Sequence, residues 1–479
     1  MLFNSLEYLL FLPLVFCLYW FVFKSLRWQN LLVVVASYIF YGWWDWRFLI
    51  LIAFTSVCSF YSGLLIEKSR ASRGLGKTGG KFYAISNVVV NLFTLGIFKY
   101  YNFFVESLVS AFGYIGISLH PITLNIILPV GISFYTFQAL SYTIDVYKGK
   151  LAATHDVVSF FAFISFFPQL VAGPIERAIN LLPQFQKSRR FDYSTAVDGT
   201  KQILWGLFKK MVIADNCADI VDKVWFDYSQ HSSLMLVIAA VLFSFQIYGD
   251  FSGYSDIAIG TGKLFGIKLM RNFNLPYFSR SVSEFWKRWH ISLNTWFVDY
   301  VYIPLGGSRE GKWKTFRNTF VIFFLSGLWH GANWTYVTWG VYHATLFLPL
   351  VLVGNRQKYT DVVAQNSYLP SMREFRQVIT TFLLATFGWI IFRANSFSDF
   401  VGYVTCIFTN VGLIEGVSGE KSFIFITILL LVEWINRRRE HTFAFYINKM
   451  WLRWSVYIVV AVLCLTQAGK QVQFIYFQF

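Results

Sequence analysis

Charge is scarce in this chain of 479 residues: Asp, Glu, Lys and Arg make up 14% of it, against about 25% in an ordinary soluble domain. Hydrophobic residues account for 56%, and Phe, Tyr and Trp alone for 20%. So few charges cannot screen that much apolar surface from water. Soluble, disordered, collagen-like and coiled-coil classes are excluded, and an all-α polytopic membrane protein remains. Paired cysteines are missing too. Cys17, Cys58, Cys217, Cys406 and Cys464 form no CxxC pair and lie mostly in apolar runs, so neither a disulfide framework nor a metal site is expected of them. They read as small core residues. No positive charge precedes the first apolar run and no small-residue cleavage pattern follows it, so residues 6–23 read as a retained span with its N-terminus outside, not as a signal peptide. No fixed-period repeat and no shift in composition divides the chain, which reads as one membrane-embedded domain over residues 1–479.

The charges that are present are unbalanced: 41 Lys and Arg against 25 Asp and Glu, a net +16. They fall in short clusters between apolar runs, at Lys24 and Arg27, at Lys68 to Lys81, at Lys187 to Arg190, at Arg309 to Arg317 and at Arg437 to Arg439. Cytoplasmic loops collect Lys and Arg in this way, so the balance marks the inner face of a bilayer and no nucleic-acid partner is expected. Trp43, Trp44 and Trp46 suit an interfacial belt on the outer side. Apolar stretches recur from 6–23 to 454–468 and imply about eleven spans, with shorter and re-entrant helices among them. The stretch 318–353 is long enough for two.

Chemistry is expected where polar groups persist in apolar surroundings, because an ionisable side chain at the bilayer centre is costly unless it lines a cavity or is paired. Residues 246–256 hold Asp250, Ser252, Tyr254, Ser255 and Asp256 after an apolar run with no basic residue close in sequence. They form either an interhelical clamp or the lining of a substrate cavity. Gly249 and Gly253 allow a backbone break or a close helix approach. Residues 284–297, read as one helix, place Trp286, Trp289, His290, Leu293 and Phe297 on one face. Glu284, Lys287 and Arg288 lie on the other side, and Glu284 and Arg288 form an i,i+4 pair. A lone histidine on an apolar face is usually a satisfied core residue. In the third cluster His330 is flanked by Trp329 and Gly331 inside an apolar run. Burial favours the neutral imidazole, the form a general base requires. Asn333 and Trp334 share its face on an ideal helix, whereas His343 points elsewhere and reads as structural or as a minor contributor. Two buried histidines without a paired cysteine or close carboxylate make no zinc site, so no metal and no bound cofactor is expected. Gly260 to Lys263 lacks the spacing of a phosphate loop.

Three segments then carry a resemblance: Glu284-Phe-Trp-Lys-Arg-Trp-His-Ile-Ser-Leu293, Asp299-Tyr-Val-Tyr-Ile-Pro-Leu-Gly-Gly307 and Gly327-Leu-Trp-His-Gly-Ala-Asn-Trp334. Segments 131–138, 168–174, 248–260, 388–393 and 474–479 support it in order along nearly the whole chain. The sequence resembles the membrane-bound O-acyltransferase family, in its bacterial alginate O-acetyltransferase-like branch. Gly249 and Asn294 stand where related sequences often have Ala and Ser. The resemblance implies a helical bundle crossed by a tunnel in the bacterial inner membrane, in which an activated acyl group from the cytoplasm meets an acceptor from the other side. His330 matches the family's essential histidine and His290 its second polar site. Acyl transfer needs a base for the hydroxyl proton and a donor for the developing oxyanion. His330 is expected as the base, and His290, Asn333 or an indole N–H as the donor, with His290 positioning the acyl group. Trp286, Trp289, Asn294, Trp329, Asp250, Tyr254, Asp256 and Gln138 are expected to line the substrate path. Lys287 and Arg288 are expected to meet the phosphates of acetyl-CoA or of an acyl-carrier thioester. The implied partners are membrane lipid, a polysaccharide acceptor and a periplasmic acetyltransferase. A transporter or flippase using the polar core as a path is the alternative.

Overall fold

Runs this apolar persist in a bilayer as helices, because each backbone N–H and C=O must be satisfied within its own segment. The computed structural model describes residues 1–72, 80–121, 123–124, 127–353, 359, 361–412, 419–445, 447–467 and 474–475. Every regular element among the described residues is helical. The basic loop at 67–81 and the closing motif at 474–479 lie partly outside them.

Five stretches are long and apolar enough to cross a membrane: Leu26–Ala71, Lys81–Tyr114, Ser233–Leu264, Trp334–Val353 and Met372–Arg393, with shorter apolar helices at Leu6–Val22 and Met450–Thr466. The first of these is two helices of 20 and 23 residues, each roughly 30–35 Å long at 1.5 Å per residue. Their outer faces carry exposed large apolar residues, among them Leu6, Leu10, Phe82, Phe93 and Leu383, as a surface against lipid requires. The protein is a multi-pass membrane protein.

The chain forms two compact units. The first comprises Met1–Ala196 with Gly262–Leu269. Its helices are α1 (Leu6–Cys17), α2 (Leu26–Asp45), α3 (Leu49–Ala71), α4 (Lys81–Leu95), α5 (Tyr101–Tyr114), α6 (Ile132–Lys148), α7 (Val157–Ser165), α8 (Phe167–Leu170) and α9 (Ala178–Phe185). Helix α6 packs against α3, α4, α7 and α9 and is buried on nearly every side, the mark of a helix at the centre of its unit. Gln138 lies on it, buried, with Nε2 lacking a hydrogen-bond partner. Polar side chains inside this unit are tied together: Asn30 Nδ2 donates to Ser159 Oγ at 3.0 Å and to the Phe185 carbonyl at 2.7 Å, and Asn87 Nδ2 donates to Thr143 Oγ1 at 2.7 Å.

The second unit comprises Val197–Thr261 and Met270–Phe479. Its helices are α10 (Tyr193–Leu207, within the unit from Val197), α11 (Asp215–Phe226), α12 (Ser233–Leu264, within it to Thr261), α13 (Val282–Arg288), α14 (Ile291–Phe297), α15 (Lys312–His330), α16 (Trp334–Val353), α17 (Met372–Arg393), α18 (Phe397–Thr409), α19 (Glu420–Ile435) and α20 (Met450–Thr466). Residues 318–353 do hold two helices, α15 and α16, packed as a pair, and α16 packs on α17. Gly249 and Gly253 do not break α12. They bring it against α10 and the π-helical turn Phe208–Ala214 that follows. A Cβ at Gly206 would stand 2.6 Å from the Gly253 carbonyl oxygen, and one at Gly249 2.8 Å from that of Lys209, so only glycine permits this approach.

The expected single helix over 284–297 is not formed. Helix α13 stops at Arg288, Trp289 is extended, and His290 is left-handed at φ 45° before α14 begins. A non-glycine residue there is strained, though His, like Asn and Asp, is enriched in that region. The surroundings hold the break in place. Asn294 Nδ2 donates to the carbonyls of Trp286 (2.5 Å) and Trp289 (2.8 Å). Ile291 N donates to the Asn272 carbonyl at 2.8 Å, and Asn274 N to that of Arg288 at 2.9 Å.

Candidate active site

The break at His290 and the end of α15 at His330 bring the two histidines together within the second unit. Both are buried, and their ring centroids stand 6.4 Å apart. That is too far for a direct hydrogen bond between ring nitrogens. It is close enough for one oxygen atom to bridge them with bonds of about 2.8 Å each. Aromatic rings wall the pair. Phe251 of α12 lies 4.6 Å from His290 and Trp329 lies 5.6 Å from it, both edge-on. Trp339 and Phe392 lie 5.1 and 5.3 Å from His330. Trp289 packs on Trp389 at 4.8 Å. Such a wall keeps bulk water from the space beside the two imidazoles.

Among the described residues around the pair, His290 Nε2, His343 Nε2 and the indole Nε1 of Trp339 are buried without a hydrogen-bond partner. Buried polar atoms are almost always paired, so an unpaired set beside two histidines suits a site built for an absent ligand. His343, which the sequence reads as structural or as a minor contributor, accepts from Trp286 Nε1 at 3.3 Å through Nδ1. Its ring lies against Gly388, where a Cβ would stand 2.8 Å from His343 Nε2.

The other expected site residues are distributed as follows. Trp286, Trp289 and Trp329 are buried: Trp329 lies against both His290 and His330, whereas Trp286 lies 4.9 Å from His343 and Trp289 packs on Trp389. Asn294 holds the helix break. Asn333 does not share the face of His330, because α15 ends there: its Oδ1 accepts from Thr335 N at 3.0 Å and its Nδ2 donates to the Asn395 carbonyl at 2.8 Å. Lys287 is exposed, whereas Arg288 is turned inward, with Glu284 Oε1 at 2.7 Å and the carbonyls of Asn274 and Asp361 at 3.3 and 3.0 Å. Gln138 belongs to the first unit.

Asp250 and Asp256 do have basic partners, which sequence proximity did not reveal. Lys210 Nζ lies 2.7 Å from Asp250 and 2.8 Å from Asp215. Lys209 Nζ lies 2.5 Å from Asp256 and 2.9 Å from Ser252 Oγ. Gln202 also donates to Asp256 at 2.8 Å, and Ile475 N to Asp250 at 2.7 Å. Here the polar segment of α12 is an interhelical clamp. Tyr254 packs its ring 4.2 Å from Phe474, and Phe474 in turn lies 6.3 Å from Phe251, the ring beside His290. Lys209 and Lys210 could have been suspected from two adjacent lysines inside the apolar stretch 201–215. Asn272 and Trp339 carried no such signal.

Residues 149–392 match the model of the membrane-bound O-acyltransferase family. A probable alginate O-acetylase of Pseudomonas aeruginosa is 41% identical over 401 residues, covering 83% of this chain and 72% of that protein. A peptidoglycan O-acetyltransferase of Helicobacter pylori is 33% identical over 78% of this chain and 72% of its own length. A teichoic acid D-alanyltransferase of Bacillus subtilis is 30% identical over 57% of this chain and 70% of its own length.

Proposed function

The chain belongs to the membrane-bound O-acyltransferase family and is an acyltransferase, and we propose that it moves an acetyl group from a cytoplasmic thioester donor, acetyl-CoA or an acyl carrier, to hydroxyls of an extracytoplasmic polysaccharide, directly or through a periplasmic partner transferase. The observation that carries this reading is the buried pair His290 and His330, with ring centroids 6.4 Å apart and with His290 Nε2 and Trp339 Nε1 both unpaired in the same aromatic surroundings. Two of the relatives are named for O-acetylation and one for D-alanylation, each on a polymer. A small acyl group and a polymeric acceptor are what they have in common.

The arrangement suits direct transfer without a covalent acyl-enzyme. A hydroxyl between the rings can give its proton to one imidazole as its oxygen attacks the thioester carbonyl. The indole N–H of Trp339 is the donor available to the developing oxyanion. Lys287, exposed at the end of α13, remains a contact for a donor's phosphates. The expected tunnel, the span count near eleven and the inner-membrane setting with the N-terminus outside complete the proposal, since donor and acceptor must reach the pair from opposite faces.

The test uses the purified protein in lipid nanodiscs with labelled acetyl-CoA, a soluble glycan acceptor and the periplasmic transferase of the same cell. Label should reach the acceptor with the wild-type protein and fail to do so with His330→Ala. Acceptor crossing the membrane without loss of the thioester would make the protein a transporter and overturn the reading.

A further inference from the structure

We infer that Asn272 is a positioning residue for the acyl transfer: its side-chain oxygen fixes His290 in the tautomer that carries its hydrogen on Nδ1 and offers Nε2 as a proton acceptor. The inference rests on the acyl-transfer reading above and deepens it by giving the hydroxyl proton to His290.

Asn272 is completely buried in the segment that pairs with the His290 break. Ser292 N can only donate, so the Asn272 atom 3.2 Å from it is the amide oxygen. The amide nitrogen then donates to Ser255 Oγ at 3.0 Å. The same oxygen accepts from Ser292 Oγ at 2.8 Å and faces His290 Nδ1 at 3.2 Å. An amide oxygen has no hydrogen to give, so Nδ1 supplies it. In the other tautomer Nδ1 would accept from Ser292 Oγ across 3.4 Å. That would strip the serine of its shorter bond and leave two lone pairs opposed at 3.2 Å. A neutral imidazole donates through one nitrogen and accepts through the other. Nε2 is therefore an acceptor, and it is the buried atom without a partner.

An acceptor needs a hydrogen brought to it. The oxygen and sulfur of a thioester carry none, and the hydroxyl of the acyl acceptor carries one. As the hydroxyl oxygen bonds to the carbonyl carbon, its proton passes to Nε2. The C–S bond breaks on collapse, and the proton leaves on the departing thiolate as a thiol. The imidazolium formed in between keeps its Nδ1–H on Asn272. This departs from the expectations that His330 is the base and that His290 donates to the thioester oxygen.

The charged and titratable groups on the elements around His290 are these. On α13 Glu284 and Arg288 pair at 2.7 Å and Lys287 is exposed, His343 on α16 accepts from Trp286, and Tyr254 on α12 packs its ring on Phe474. His330 stands on α15. Arg271 precedes Asn272 and donates through Nε to the Phe273 carbonyl at 2.8 Å. Asp250 and Asp256 on α12 are held by Lys210 and Lys209.

The experiment compares Asn272→Ala and Asn272→Asp with wild type in the nanodisc assay across pH. Alanine removes the acceptor for Nδ1–H, so kcat should fall by about 10²-fold with KM changing little. Aspartate restores an acceptor of the same shape and adds a negative charge that favours the imidazolium. It should recover activity at high pH, and the acid side of its profile should move up by ~1–3 units. Folded variants that both keep the wild-type rate and profile would overturn the inference, as would a folded Asn272→Asp that is inactive at every pH. A wild-type protein that consumes no thioester defeats the acyl-transfer reading instead. Should neither variant assemble, magic-angle-spinning NMR of wild type with ¹⁵N-labelled histidine decides. The signal lost in His290→Gln should report a protonated Nδ1 and a bare Nε2, and the reverse assignment would overturn the inference.

Discussion

Two buried, unpaired atoms set the expectations for single residues, His290 Nε2 as an acceptor and Trp339 Nε1 as a donor. Replacing His330 by alanine should lower turnover about 10²–10⁴-fold, the usual cost of losing proton transfer by a positioned base or its partner, without loss of folded protein on size-exclusion chromatography. His290→Gln separates the two roles open to that residue. Glutamine offers hydrogen bonds but no basic nitrogen, so a positioning histidine would tolerate it and a proton acceptor would not. The rate of His290→Gln should match that of His290→Ala, and a variant that keeps a tenth or more of wild-type turnover would restore the positioning role. Trp339→Phe keeps the ring and removes only the N–H. It should cost kcat ~10–10²-fold, less than the loss of a dedicated oxyanion-hole donor, and leave KM nearly unchanged. Much of this was legible in the sequence. His290, His330, Trp286, Trp289 and Trp329 are polar or amphipathic groups in an apolar context, where bilayer cost alone makes them informative. Asn272 was not legible, because its significance is a contact with His290 and nothing in its neighbours sets it apart.

Among the elements, the interrupted helix was the least readable. Residues 284–297 have a helical period throughout, and the signal for the break is spread over Asn272, Asn294 and a left-handed His290, residues that meet only after folding. Asn294→Ala should free the carbonyls of Trp286 and Trp289 and cost roughly 1–3 kcal/mol of stability. A thermal shift in detergent measures this, with activity falling in parallel as the histidine turn loosens. The glycines of α12 were read correctly as a choice between a break and a close approach, and packing decided for the second. Gly206→Val should force α10 from α12 and lower stability by ~1–3 kcal/mol or more, as overpacking does, even though the site itself is untouched. The clamp on α12 was half visible: the carboxylates stood out, but Lys209 and Lys210 lie far off in the chain and read as part of an ordinary apolar stretch.

For the whole molecule, composition was decisive. Little charge and much aromatic surface leave no soluble solution, and the helices found among the described residues agree. For topology the basic clusters make a definite forecast. In a background without the five native cysteines, a cysteine placed at Ser72 should react with an impermeant maleimide only from the cytoplasmic side. Labelling from the periplasm alone would invert the proposed direction of acyl flow. The number of spans was not readable from hydropathy alone, because short paired helices such as α13 and α14 do not announce whether they cross.

Phe474 and Ile475 close against Tyr254, Phe251 and Asp250, the helix face that also supports His290. In the order of synthesis these residues follow both histidines by a long interval. A nascent chain that has already inserted α15 therefore has its histidines but not the packing behind them. The proposed acyl transfer should therefore be absent until these last residues have docked. A chain truncated before Phe474 should transfer no acetyl group to the acceptor in the nanodisc assay, and the chain that carries Phe474 and Ile475 should restore transfer.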